Sequence, residues 1–361
     1  MAVKKLFNLL KATFKEWKED KASRLAAALS YYTIFSLAPL LLVAITIVGF
    51  VMDPGDIEGE LYAQIEDLIG MEGADMVRTM VDNAAASESK GLAAVVSIVT
   101  LLIGATGVFM ALKDSLNTIW DVRPAPGRGI KGMLKDRALA FSLIPGIGFL
   151  LLVSLIADTV LSVISRYASD VFPSELWLIA VRILSLVISF GVVTLLFAVI
   201  YKVLPDAKIE WRDVWVGAAV TALLFTIGRF AIGLYIGNSG TASAYGAAGA
   251  LIVILLWIYY AAQILFFGAE FTQVYARRFG TQIEPEAGAV RLTDEQRAAQ
   301  GLAPRERRQP VEPPTPQERR DRRLGAPPIA QAQYVQRGKP LGYAVAGVVA
   351  FFLGAFLSKG E

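Results

Sequence analysis

Two residue types that carry much of enzyme chemistry are missing from this 361-residue sequence, which contains no histidine and no cysteine. The chain therefore cannot supply a Ser-His-Asp triad, a histidine or cysteine zinc site, an iron–sulfur cluster, a disulfide or a thiolate nucleophile. Chemistry would have to come from Asp, Glu, Lys, Arg, Tyr, Ser and Thr. We expect no catalytic residue, no cofactor and no metal, and we expect the protein not to be an enzyme.

Three ionisable residues lie inside long apolar runs: Asp158, Arg182 and Arg229. The helical rise of about 1.5 Å per residue places all three in the same half of a membrane, where charged side chains are costly and often functional. Two arginines beside one carboxylate would leave a positive charge that could hold an anionic headgroup. In the alternative interpretation, Arg182 extends to the lipid headgroups and Arg229 pairs with Asp158.

A polar stripe runs along another apolar segment, where Tyr259, Gln263, Glu270 and Gln273 share one helical face. Glu270 lies near the opposite end of the membrane from Arg229. Its expected partners are cations at the same depth: Arg24, Lys113 or Lys202.

The first apolar run is unusually polar and includes Tyr32 and Ser36. With the Glu270 stripe, these side chains could line a cavity for a polar or amphiphilic solute. The alternative is that they form hydrogen bonds between helices.

Long apolar runs must position these side chains, because the chain is 55% hydrophobic and only 19% charged. Six runs have the length that a membrane helix needs: 25–52, 92–112, 138–162, 179–201, 214–236 and 249–273. A shorter run covers 341–357. The runs are continuously apolar, which favours helices over the alternating strands of a barrel. We predict an all-α, polytopic transmembrane bundle of six core helices in 25–278, with a seventh C-terminal helix in 341–358.

The distribution of lysine and arginine predicts the orientation of the bundle. Segments 1–24, 113–137, 202–213 and 274–340 carry 29 of these residues, whereas the alternate segments 53–90, 165–178 and 237–248 carry three. We therefore expect the N-terminus and the segment 274–340 to be cytoplasmic.

The segments outside the apolar runs have distinct compositions. Residues 1–24 predict a basic amphipathic helix, which lies either on anionic lipid or against the floor of the bundle. The outer loop 53–90 is acidic, and its apolar spacing predicts a short helical lid. The segment 279–340 is rich in proline and arginine and is predicted to be a disordered linker.

The seventh run carries small residues at every fourth position, a pattern suited to close helix packing. This stripe could dock on the bundle or form a homo-oligomer; it consists of Gly342, Ala346, Ala350 and Gly354.

Four segments resemble the signature segments of the YihY/BrkB family of bacterial membrane proteins. They are AAALSYYTIFSLAPLL (26–41), ALKDSLNTIWDV (111–122), YKVLPDAKIEWRDVWVGA (201–218) and YGAAGALIVILLWIYYAAQILFFGAEFTQVYA (245–276). The resemblance covers about residues 10–278. It implies a six-helix protein of the bacterial inner membrane with both ends cytoplasmic, a biochemical activity that is not settled, and a virulence-associated name. The family was once labelled ribonuclease BN, but a metal-dependent nuclease would want a cluster of His and Asp in a soluble fold, and we expect this chain, which has no histidine, to have no soluble domain.

These features favour a transporter or translocator of an amphiphilic or anionic, lipid-like substrate, with membrane lipids as partners and no nucleic acid. No G-x-x-x-x-G-K-[ST] motif occurs, so a gradient would supply any energy. The alternative is a scaffold for envelope assembly that uses the basic N-terminal helix and the tail as docking arms.

Overall fold

The computed structural model describes residues 2–48, 58–59, 61–63, 65–66, 70–86, 107–127, 132, 175–239, 249–280 and 283–304. Its helices are α1 (Ala2–Glu19), α2 (Ala22–Val48), α3 (Met71–Ala86), α4 (107–119), α5 (Glu175–Val203), α6 (Trp211–Ser239), α7 (Gly249–Phe279) and α8 (Asp294–Ala299). Two pairs of short antiparallel strands join β1 (Val122–Pro124) to β4 (Ala289–Arg291) and β2 (Ala207–Lys208) to β3 (Glu284–Pro285).

Four of the six predicted spans coincide with described helices: 25–52 with α2, 179–201 with α5, 214–236 with α6 and 249–273 with α7. The run 92–112 is described only from residue 107, where α4 begins. The run 138–162, the seventh run and its small-residue stripe lie outside the described residues. Within the described part of the chain, Ile183–Val203 and Gly249–Phe279 are long and apolar enough to cross a membrane. The helical class is confirmed, and the six-helix count stays a prediction.

Helix α7 is the centre of the described bundle, since it packs against α1, α2, α3 and α6, while α5 packs against α6. Its buried residues Ile258, Ala262, Phe266 and Ala269 recur at helical spacing along one face. These side chains extend the apolar core from the middle of α7 towards its C-terminal end.

Glycines let α6 and α7 approach closely. A Cβ at Gly217 would overlap the Thr272 side chain, and a Cβ at Gly268 would overlap Thr221 and the Tyr201 hydroxyl. The same atoms are hydrogen-bonded, because the Tyr201 and Thr221 hydroxyls are 3.0 Å apart and Tyr201 donates to the carbonyl oxygen of Leu265 at 2.7 Å. Thus the contact of α6 with α7, which Tyr201 joins from α5, is both close-packed and polar.

Gly268→Ala should therefore lower the stability of the bundle by about 1–3 kcal/mol, because the new methyl group overpacks this contact. The matched control is Gly191→Ala on α5, where an added Cβ meets no atom within 4 Å. Thermal unfolding in detergent, followed by circular dichroism, compares the two. Equal melting temperatures for both variants would contradict the close approach of α6 and α7.

Helix α1 has two apolar faces. Leu9 is buried against Phe271 and Val274 of α7, whereas Phe7 and Phe14 are 64% and 52% exposed. The packed face fits a helix on the floor of the bundle, which is one of the two interpretations that the sequence left open. Contact between the exposed face and lipid stays a prediction.

The acidic segment 53–90 contains helix α3, which packs against α2 and α7. Val77 of α3 is buried with Val253 and Ile254, near the N-terminal end of α7. This contact lies at the opposite end of α7 from Glu270.

Residues 283–304 are folded, so the prediction of a disordered segment from residue 279 to 340 is wrong for this stretch. Strand β3 pairs with β2, strand β4 pairs with β1, and α8 follows. The Thr293 side chain accepts from the backbone N–H of Gln296, and the Gln296 side chain accepts from the backbone N–H of Thr293. This capping box starts the helix. Residues 305–340 lie outside the described part of the chain.

Candidate functional site

Four parts of the chain converge at the C-terminal end of α7: the turn between α1 and α2, the end of α4, α7 itself and α8. Two residues at the turns have left-handed backbones, Lys21 with φ 51° and Asp121 with φ 55°. Lys21 lets α2 start directly after α1, and Asp121 ends α4 and directs the chain into β1. The turns leave Asp20 and Asp121 facing the same side chain, Arg297 of α8. We refer to Glu16, Asp20, Asp121, Glu270, Arg277 and Arg297 as the polar cluster.

Arg297 occupies the centre of the polar cluster, although its side chain is only 1% exposed. Its Nη2 donates to Asp20 Oδ1 and its Nη1 to Asp121 Oδ1, both at 2.5 Å, and its Nε donates to the carbonyl oxygen of Ala303 at 2.8 Å. Burial favours the neutral form of Arg297, but the two carboxylates outweigh this effect and raise its pKa above the ordinary value. Arg297 therefore holds the folded tail on the bundle as a cation.

Arg277 extends the polar cluster from α7. Its Nη2 donates to Asp121 Oδ2 at 2.8 Å, and its Nη1 lies 3.4 Å from Glu16 Oε1. The neighbouring Gln273 donates from Nε2 to the backbone oxygen of Ile119. These bonds join α1, α4 and α7.

Asp20 lies deepest among the acids that contact Arg297. Its side chain is fully buried. Burial raises the pKa of Asp20 to about 6, and Asp121 acts in the same direction, whereas Arg297 acts in the opposite direction. The low dielectric around Asp20 therefore favours a protonated carboxyl more than water does.

Glu270 also lies in the polar cluster and is completely buried. Neither of its carboxylate oxygens has a hydrogen-bond partner among the described residues. Asp20, Arg277 and Asp121 are its charged neighbours. Buried oxygens without a donor are rare in proteins and call for a physical explanation.

A second buried ionic contact lies next to the polar cluster, at the turn between α5 and α6. Lys113 donates to Asp206 Oδ1 at 2.9 Å, and Asn117 donates to Asp206 Oδ2 at 3.1 Å. The backbone N–H of Asp206 donates to Asn117 Oδ1 at 2.8 Å, and its carbonyl oxygen accepts from Glu286. Asp206 thus joins α4, the α5–α6 turn and the folded tail.

The predicted cationic partners of Glu270 are wrong. Lys113 binds Asp206, Arg24 donates to the backbone oxygen of Gln300 at 3.0 Å, and Lys202 donates to the backbone oxygen of Ile209 at 2.5 Å. Each of these cations lies near the correct end of the bundle but binds another acceptor. The arginine that does neighbour Glu270 is Arg277, two turns along the same helix.

The predicted polar stripe on α7 has several different environments. Tyr259 is half-buried and packs against the apolar core. The Gln263 Oε1 atom is buried without a hydrogen-bond partner, as is Gln273 Oε1. With Glu270, three of the four predicted side chains therefore present unsatisfied acceptor oxygens.

The remaining predicted site residues are not brought together by the described structure. Ser36 is buried and donates to the backbone oxygen of Thr33 at 3.1 Å, while Tyr32 is 46% exposed. Arg229 lies on α6 with an exposed side chain. The side chain of Arg182 and the whole of Asp158 lie outside the described residues.

Sequence reasoning missed Arg297, Asp20 and Asp121. A signal for α8 existed, because Thr293 and Gln296 have the spacing of a capping box, which marks a helix start within the proline- and arginine-rich region. No local signal identifies Asp20 or Asp121 as its partners, since they lie 277 and 176 residues away in the sequence.

The side chains at this end of the bundle can accept hydrogen bonds and exchange protons. Within the described residues, no group of three or more acids is arranged to hold a metal ion. The unsatisfied oxygens of Gln263, Glu270 and Gln273 can accept hydrogen bonds from water, hydroxyl groups or a proton held between carboxyls.

A family model described as Virulence factor BrkB matches residues 13–293. The chain belongs to the BrkB family. The family match includes β3 and β4 and ends just before α8, so it extends beyond residue 278, where the sequence resemblance ended. The segments that resemble this family supply Lys113, Asp206, Asp121 and Glu270, whereas Asp20, Arg277 and Arg297 lie outside these segments.

Relatives of this chain are named UPF0761 membrane proteins. One from Alcanivorax borkumensis is 28% identical over 272 residues, which is 73% of this chain and 60% of the relative. One from Alteromonas mediterranea is 27% identical, covering 72% of this chain and 84% of the relative. One from Haemophilus influenzae is 28% identical, covering 75% of this chain and 96% of the relative. No solved structure matches this chain. The chain is therefore a membrane protein of the BrkB family.

Proposed function

We propose that this protein is a membrane transporter or translocator whose polar pathway follows one face of α7. The observation that carries the proposal is the series of buried acceptor oxygens without partners on Gln263, Glu270 and Gln273. Each unsatisfied buried group costs about 1–3 kcal/mol of stability. Three such side chains recur along a helix that is long enough to cross a membrane. Water or a solute that contacts these oxygens in the working protein explains their recurrence.

The substrate class in this proposal is an amphiphilic molecule with an anionic group. Arg229 supports it, because Gly228 lies against Tyr260 and Ile264, which places Arg229 level with Gln263 on the neighbouring helix. A guanidinium at this level can hold a carboxylate or phosphate through two hydrogen bonds. Glu270 lies two helical turns further along α7, at the other end of the proposed pathway.

Transport in proteoliposomes tests this function, with a fluorescent lipid that carries an anionic headgroup as the probe. We expect Arg229→Ala to slow its movement about tenfold or more, because a charge-assisted hydrogen bond is worth about 1.5–3 kcal/mol. Arg278→Ala, which removes an exposed arginine at the end of α7, is the matched control and should leave the rate unchanged. Absence of protein-dependent movement, or equal rates for the two variants, would contradict the proposal.

A truncation distinguishes a transporter from a scaffold that binds its partners through the tail. It must begin after residue 304, because residues 283–304 belong to the folded unit. A transporter built on the described bundle keeps its activity when residues 305–361 are removed. Loss of the cellular phenotype with retained transport would favour the scaffold.

We also propose that the protein lies in the bacterial inner membrane with α1 and the polar cluster on the cytoplasmic side. The bias of lysine and arginine supports this orientation. The chain has no native cysteine, so Lys11→Cys on α1 and Asp82→Cys on α3 each create a single labelling site at an exposed position. In right-side-out vesicles, an impermeant maleimide should label Asp82→Cys and not Lys11→Cys, and the reverse pattern would overturn the orientation.

A further inference from the structure

Glu270 and Asp20 are two buried carboxyl groups side by side. Both side chains are fully buried, and neither oxygen of Glu270 receives a hydrogen bond from a described residue. Asp20 lies close enough for a protonated Glu270 to donate to it. Two ionised carboxylates can only accept hydrogen bonds, so no hydrogen bond forms between them. A proton on one of them provides the donor for such a bond.

Charged groups from α1, α4, α7 and α8 surround this pair. Asp20 and Glu16 come from α1 and the turn after it, Asp121 from the end of α4, Arg277 from α7 and Arg297 from α8. In the polar cluster, four carboxyl groups face two guanidinium groups. The cluster has a charge of −2 if every group is ionised, and a single bound proton reduces this to −1.

A buried excess of negative charge is costly, and retention of a proton is the usual response of paired carboxyl groups. The two arginines do not remove the need for a bound proton. Their Nη atoms bind Asp20, Asp121 and Glu16, and the Glu270 oxygens receive none of these bonds. Burial also raises the pKa of Asp20 to about 6, so Asp20 favours its protonated form more than an exposed aspartate does.

We propose that Asp20 and Glu270 form a proton-binding site in which one proton is shared between the two carboxyl groups. In the bound state, the proton lies between the two carboxyl groups, so that the protonated one donates to the other. On release, the O–H bond breaks, the proton passes to water, and the pair carries two negative charges. The role of the site as the binding site of a coupling proton rests on the proposed transport function, but the existence of the site does not.

Infrared difference spectroscopy on the purified full-length chain tests the site without a transport assay. Between about pH 5 and about pH 8, we expect the carbonyl band of one protonated carboxylic acid to disappear as the proton is released. The band should shift in heavy water, since it belongs to an exchangeable acid. A parallel proton-release titration counts the protons that each chain loses.

Glu270→Gln is the decisive variant, because the amide has nearly the same shape and can donate to Asp20 but cannot release a proton. It should lack the band and release one proton fewer per chain. Glu286→Gln removes an exposed carboxyl group from the folded tail and should keep both signals. Retention of both signals in Glu270→Gln overturns the inference.

Asp20→Asn keeps the inference testable if Glu270→Gln does not fold. It removes the second carboxyl group of the pair, and its side-chain amide can donate to an ionised Glu270, so we expect the same loss of one released proton, and an unchanged titration in Asp20→Asn overturns the site. The infrared titration and the transport assay test different claims. If Glu270→Gln loses the band and the unchanged protein shows no transport, the proton site is supported and the proposed function is refuted. If the protein transports the probe and Glu270→Gln keeps the band, the proposed function is supported and the proton site is refuted.

Discussion

Replacing Arg297 with alanine is expected to destabilise the protein by about 3–5 kcal/mol, one of the two largest effects predicted for a single side chain. Arg297 is almost completely buried and donates to Asp20, Asp121 and the backbone of Ala303. Removal of one partner from a buried ion pair leaves the other charge uncompensated, and this penalty accounts for the magnitude. Thermal unfolding in detergent measures the loss.

The matched control for this prediction is Arg278→Ala, which removes an exposed arginine and should change the stability by less than about 0.5 kcal/mol. A double variant tests the mechanism, because Asp20→Asn removes one of the charges that Arg297→Ala leaves behind. We expect the double variant to be more stable than the sum of the two single effects predicts. Equal stability of Arg297→Ala and Arg278→Ala would show that the tail is not held by Arg297.

The pH dependence of stability provides another readout of the polar cluster. The pKa of Asp20 is raised from 3.8 to about 6 in the folded protein, with burial as the largest cause. Between these values the folded state binds more protons at Asp20 than the unfolded state does, so its contribution to stability is complete below pH 3.8 and is lost as the pH rises through about 6. Arg297→Ala removes an influence that lowers the pKa of Asp20 and should move this loss to higher pH.

The helices of this fold could be predicted from the sequence because they depend on local composition. Apolar runs of sufficient length coincide with α2, α5, α6 and α7. The spacing of Gln263, Glu270 and Gln273 predicted a common polar face, and in the structure each of these side chains has an unsatisfied buried oxygen. Their role as one site stays a prediction.

The polar cluster could not be predicted, because its bonds depend on the route of the chain. Depth along a helix suggested Arg24, Lys113 and Lys202 as partners of Glu270, but depth does not fix the side of the helix on which a partner lies. The fold instead brings Arg297 into the same cluster from a segment whose average composition predicts disorder. Average composition over 279–340 concealed a capping box only four residues long.

The second large effect is expected for Lys113, whose ion pair with Asp206 is almost fully buried, with the two side chains only 6% and 7% exposed. Lys113→Met keeps most of the length of the side chain but removes its charge. It removes the Lys113 cation from the buried Asp206 carboxylate, to which Asn117 still donates. We expect a loss of about 3–5 kcal/mol in thermal or denaturant unfolding, as for other broken buried pairs.

Lys208→Met is the matched control, because Lys208 lies two residues beyond Asp206 but is exposed. It should change the stability by less than about 0.5 kcal/mol. If Lys113→Met and Lys208→Met were equally stable, the buried pair would contribute nothing to the fold.

Asp206→Asn distinguishes the loss of the pair from the loss of one charge. An amide at this position keeps the backbone bonds to Asn117 and Glu286 and carries no charge that needs Lys113. The Lys113→Met and Asp206→Asn double variant should therefore recover most of the stability that Lys113→Met loses, with a coupling energy of about 1–3 kcal/mol. Such recovery would assign the cost to the buried carboxylate that has lost the Lys113 cation, and purely additive effects would assign it to the lost packing of Lys113.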